Sequence, residues 1–148
     1  MDERVAGLRT PEECAQFAIN VAASHPDLAR QAQRRAVELR AAAHAAVSAA
    51  ETEALQAVYA YEEALAARKG KRVLAARTWQ MITRHGIIRA VERAVDRKEA
   101  TLGYTTLVAM GMQDLAFEAV VCRYPEVFSP RAVTRSQERL RDWESCKA

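Results

Sequence analysis

The chain has 148 residues, a length that suits one domain (residues 1–148) with a core able to fold without staples. Half of the residues are hydrophobic, much of that alanine, while glycine and proline are scarce and strand-like alternation is nowhere sustained; the composition predicts an all-α fold. The net charge of +3 conceals an asymmetry, since eight bases stand against ten acids through Gly70 and fourteen against nine after it.

Three further classes are set aside at this level. Cys14, Cys122 and Cys146 are odd in number and far apart, which fits reduced thiols in a cytoplasm and neither a disulfide framework nor a paired zinc site. The first residues, Met1-Asp2-Glu3-Arg4, mix charges and lack the apolar run of a signal peptide. No apolar run approaches the roughly 18 residues that a membrane-spanning helix needs. The expected protein is soluble and cytoplasmic, with no membrane partner.

In chain order, Thr10-Pro11-Glu12-Glu13 predicts a helix start, with a capping Thr, a Pro at the first helical position and Glu13 completing a capping box. Cys14, Phe17, Ala18 and Val21 then recur at helical spacing. Ser24-His25-Pro26-Asp27 restarts the chain. From Leu28 to about Ala67 an alanine-rich stretch reads as two long helices, or one bent helix, broken near Ser48-Ala49-Ala50-Glu51-Thr52. Leu28, Ala32, Val37 and Leu39 would oppose Leu55, Val58, Tyr59 and Leu65 in a helical hairpin over 1–67, because alanines permit close packing. Such a hairpin serves either as a bundle wall or as a homodimerisation scaffold.

Arg68-Lys69-Gly70-Lys71-Arg72 reads as a loop or helix cap. A helix is predicted from Val73 to His85, stopped by Gly86, and a second from Ile87 to Val95. Asp96 to Ala100 is a charged connection. Thr101–Met110 and Gln113–Cys122 are two short helices separated at Gly111, Tyr124-Pro125 ends the pair, and Ser129-Pro130 opens a last helix carrying Val133, Leu140 and Trp143. The second part, 68–148, is thus a compact cluster of short helices.

Residues 68–89, RKGKRVLAARTWQMITRHGIIR, hold seven Lys or Arg and no acid. At 100° per residue, Leu74, Ala75, Trp79, Met81 and Ile82 gather on one side of a helix. Arg77 and Arg84 gather on the other beside Gln80, with Arg72 and Thr83 at the margin. Guanidiniums next to neutral hydrogen-bonding residues are what phosphate contact requires. An ordinary wet face mixes signs. The candidate nucleic-acid-binding residues are therefore Arg68, Lys69, Lys71, Arg72, Arg77, Gln80, Arg84 and Arg89. Two other readings compete: neutralisation of the stripe by Glu51, Glu53, Glu62 and Glu63 of the preceding helix, or docking of an acidic protein. Trp79 lies on the apolar side and reads as core, as does Trp143.

The helix–Gly86–helix segment has the glycine of a helix-turn-helix, with Arg89, Arg93 and Arg97 on its second helix. The core pattern departs from that motif, with bulky Ile82 where alanine is usual and Glu92 where a buried aliphatic residue is needed. His25, His44 and His85 are not spaced to share a metal, and His85 suits a helix C-terminus. The adjacent acids Glu12-Glu13 and Glu62-Glu63 do not face one another on a helix. No phosphate loop, dinucleotide fingerprint or nucleophile elbow occurs. The expectation is a non-enzymatic module without metal or cofactor, binding DNA in preference to RNA. The alternative is a protein-interaction or oligomerisation scaffold.

The runs ARTWQMITRHGIIRAVERAV (76–95) and GYTTLVAMGMQDLAFEAVVCRYPEVFSP (103–130) resemble a group of small, mostly uncharacterised bacterial helical proteins. Those proteins share an Ala-Arg-Thr start, a Gly-Met-x-x-Leu turn and an Arg-x-Pro-Glu end. The resemblance covers the second half of the chain. It implies a bacterial cytoplasmic source and a helical fold, and supplies no site residues.

Overall fold

The computed structural model describes residues 1–97 and 101–145. Among them every regular element is helical and none is a strand. Two compact units divide the chain, 1–46 and 47–148. Lys98 to Ala100 of the expected charged connection, and Cys146, lie outside the described residues.

In the first unit, α1 (Glu3–Ala6), α2 (Pro11–Val21) and α3 (Pro26–Ala42) follow from their start signals. The Thr10 hydroxyl accepts the Glu13 N–H at 3.1 Å, and the Glu13 carboxylate reaches back to the Arg9 N–H at 2.8 Å, one residue beyond the usual capping box. Pro26 opens α3, but its cap is His25, which makes no side-chain bond to the helix. Ala18, Ala29 and Ala32 form the seam between α2 and α3, closed by Leu8, Phe17 and Val21. Two long-range hydrogen bonds tie the leading turn to α3: Asp2 N–H to Gln31 at 2.9 Å, and the Arg35 side chain to the Leu8 carbonyl at 3.3 Å.

The second unit begins at the expected break. Ser48 caps α4 (Ala49–Lys69) by accepting the Glu51 N–H at 3.2 Å, and Glu51 in turn accepts the Val47 N–H at 2.9 Å. α4 is apolar around much of its circumference and is packed by α6 (Ile87–Asp96), α7 (Thr101–Ala109) and α8 (Phe117–Arg123). Its alanines bring those helices close. Ala54 and Ala57 meet Val91, Val95, Val120 and Val121, with Phe128 and Ala132 completing the core. α5 (Ala76–His85) packs on α6, and α9 (Pro130–Ser145) closes the unit against α8.

The structure moves two predicted boundaries. α5 starts at Ala76 and not at Val73, because the Ala75 N–H donates to Glu62 at 2.8 Å instead of joining a helix; Leu74, expected on an apolar face, is 60 % exposed in the linker. Gln113–Cys122 is not one helix. A 3₁₀ turn over Gln113–Leu115 precedes α8, and Ala116 between them is extended, with φ −60° and ψ 146°.

Charged side chains hold several of these joints. Glu53 receives Arg123 at 2.7 Å and the Tyr124 hydroxyl. Glu92 accepts the Ser129 N–H at 2.6 Å, so the residue that broke the helix-turn-helix pattern links α6 to the start of α9. Glu118 and Arg139 form a buried ion pair at 3.0 Å between α8 and α9. Burial outweighs the pairing there and raises the Glu118 carboxyl above its ordinary range.

Candidate nucleic-acid interface

The basic segment begins on the last turn of α4, where Arg68 and Lys69 sit at the negative end of the helix dipole. Gly70 then terminates the helix in the left-handed conformation, φ 71°, with its N–H bonded to the Ala66 carbonyl. An L side chain adopts that geometry only with strain, and a lone glycine at this point is what lets the chain turn. Lys71 and Arg72 follow in the linker. All four cations are exposed.

α5 is fixed in place by a buried acid. Glu62 of α4 is only 8 % exposed, and one of its oxygens accepts both the Ala75 N–H at 2.8 Å and the Trp79 indole N–H at 2.7 Å. The Trp79 ring lies against Tyr59, with centroids 5.2 Å apart. This contact sets which face of α5 turns inward. Thr78 is buried, Trp79, Met81 and Ile82 are half-buried, and Arg77, Gln80 and Arg84 are left in water. The sequence placed Trp79 correctly on the packed side. It missed the role of Glu62, offered there only as a counter-charge to the stripe; the available signal was the row Leu55, Val58, Tyr59 and Leu65, which shares its helical face.

Gly86, at φ 86° and ψ 163°, is the single residue between α5 and α6. A helix-turn-helix needs a turn of roughly three or four residues. The α5–α6 corner is therefore a different device. It packs α6 inward through Ala90, Val91 and Val95 and leaves Arg89 and Arg93 exposed. His85 ends α5 at this corner. Its imidazole is held below the ordinary histidine range, first by partial desolvation and then by the cations of Arg93, Arg89 and Arg84. Arg97 reaches back across the pair, its guanidinium 3.8 Å from the Met81 sulfur. His85, Arg93 and Arg97, outside the eight candidates, are exposed at the same corner.

The expected neutralisation by α4 fails for three of its four acids. Glu51 is bonded to the Val47 N–H, Glu53 to Arg123 and Tyr124, and Glu62 to Ala75 and Trp79. Among the described residues, no side-chain hydrogen bond or ion pair engages Arg68, Lys69, Lys71, Arg72, Arg77, Arg84 or Arg89. Exposed cations of one sign without partners raise the local potential and concentrate anions. No described group of His, Cys, Asp and Glu is arranged to hold a metal ion. No described helix is long and apolar enough to cross a membrane.

Comparison of the chain with protein-family models, with curated proteins and with solved structures gave no match.

Proposed function

We propose that the chain is a non-enzymatic module that binds nucleic acid, DNA in preference to RNA, by its phosphate backbone through the face formed by Arg68 to Arg89. The single observation that carries the reading is a segment of seven exposed cations and no acid, with Glu53 and Glu62 of α4 turned to structural partners. Phosphate contacts position a protein and carry no sequence information directly. The α5–α6 corner offers no recognition helix of the turn-linked kind, so sequence preference is slight.

The test is fluorescence anisotropy with labelled DNA, comparing the wild-type chain with the double variant Arg77→Glu, Arg84→Glu. Both side chains are in water, so the variant keeps its helical spectrum and loses binding. Wild-type protein that fails to bind at about 50 mM salt, where such contacts are strongest, returns the function to a protein-interaction scaffold.

A further inference from the structure

We infer that the α5–α6 corner docks on double-stranded B-form DNA, with Arg77 and Arg84 reaching phosphates on the two rims of one groove. The inference rests on the phosphate-binding reading above and adds to it the form of the nucleic acid.

Geometry supplies the first reason. Arg77 and Arg84 are seven residues apart on a continuous helix, which separates them by about 10.5 Å along the axis and by only about 20° around it. They form a line parallel to α5, with exposed Gln80 beside it. The major groove of B-form DNA is about 12 Å wide, so a line of this length with a long flexible guanidinium at each end matches rim to rim. Arg89 and Arg93, four apart and exposed on α6, supply a second line for phosphates farther along the duplex. A-form RNA has a deep, narrow major groove that this spacing does not fit.

The second reason is the state of the aromatic ring. Proteins that hold single strands combine a basic groove with rings on which bases stack. Trp79 is the one Phe, Tyr or Trp between Arg68 and Arg97. It is half-buried, its N–H is bonded to Glu62 at 2.7 Å and its ring is against Tyr59. Its N–H edge and its contact with Tyr59 are committed to positioning α5, so it is not the open stacking platform of a single-strand binder.

The experiment is a competition series on the full chain. A labelled DNA duplex is displaced by the same duplex unlabelled, by one of its strands, and by an RNA duplex of equal length and sequence. The inference predicts that duplex DNA competes about tenfold or more better than either rival, a difference of about 1.4 kcal/mol. It also predicts that Arg77→Ala and Arg84→Ala each lower the duplex salt slope by about one, with the helical spectrum unchanged. Equal or better competition by the single strand overturns the inference and leaves the phosphate-binding reading standing; equal or better competition by the RNA duplex overturns the inference and the preference for DNA, and leaves only phosphate binding standing. Binding to none of the three at about 50 mM salt overturns both.

Discussion

Glu53 and Glu62 on α4 face into the second unit, each with two partners, and Arg77 and Arg84 on α5 face water. The two sets are near neighbours in sequence, and a reading by charge alone pairs them with one another. The fold does the opposite. It commits the acids to backbone and side-chain donors that fix α5 and α8, and it leaves the bases together on one surface. Burying a carboxylate is tolerable only with donors to satisfy it, and Glu62 finds them in an N–H left outside the helix and in an indole. The difference between the regions is between charge that builds the fold and charge that is available to a partner.

The sharpest way to test the structural side is at the buried pair. Arg139→Ala leaves the Glu118 carboxylate in an apolar setting without its cation, and unfolding by denaturant should show a loss of about 3–5 kcal/mol. Glu118→Gln should cost less, because burial already favours the uncharged acid. The folded-state pKa of Glu118 is raised, so its contribution favours the fold at low pH and is lost as pH rises through that value; Glu118→Gln removes this dependence.

Next in size is Glu62→Ala, which strands two donors and should cost about 2–3 kcal/mol, with a change in Trp79 fluorescence as its indole loses its partner. Arg77→Ala, on the other face of the same helix, should stay within about 0.5 kcal/mol of wild type. If the two variants were equally destabilising, the distinction between building and available charge would fall. Ser48→Ala and Thr10→Ala remove helix caps, each at about 1 kcal/mol in a thermal melt.

The smallest effect concerns pH. The folded-state pKa of His85 is depressed, so unfolded chain binds its proton more readily; the contribution to stability is full above the ordinary histidine pKa near 6.5 and is lost as pH falls through the folded value. A phosphate beside the corner would favour the charged imidazole. Affinity for DNA should then rise modestly below about pH 6.5 in the wild type and lose that rise in His85→Gln.

Much of this was legible from local chemistry. Thr10, Pro11 and Glu13, Ser48 and Glu51, and Gly70 and Gly86 each carry a start or stop signal that needs no tertiary partner, so α2, α4 and the α5–α6 corner fall close to where they were expected. Exposure of Arg77, Gln80 and Arg84 followed from the helical period. The late start of α5 was not legible, because it depends on what another part of the chain offers. Ala75 leaves the helix to reach a carboxylate thirteen residues earlier. The roles of Glu53, Glu62, Glu92 and Glu118 were hidden for the same reason, since a glutamate with a distant donor looks the same in sequence as one in water.

The central claim is that the uncompensated bases are there to meet phosphate, and the direct measurement is duplex DNA binding as a function of salt. If four to six of the cations neutralise phosphates, log K should fall against log salt with a slope of about −4 to −5. The Arg77→Glu, Arg84→Glu chain should show no measurable binding while keeping its fold. A slope near zero, or a wild-type chain that does not bind at about 50 mM salt and micromolar protein, would contradict the account.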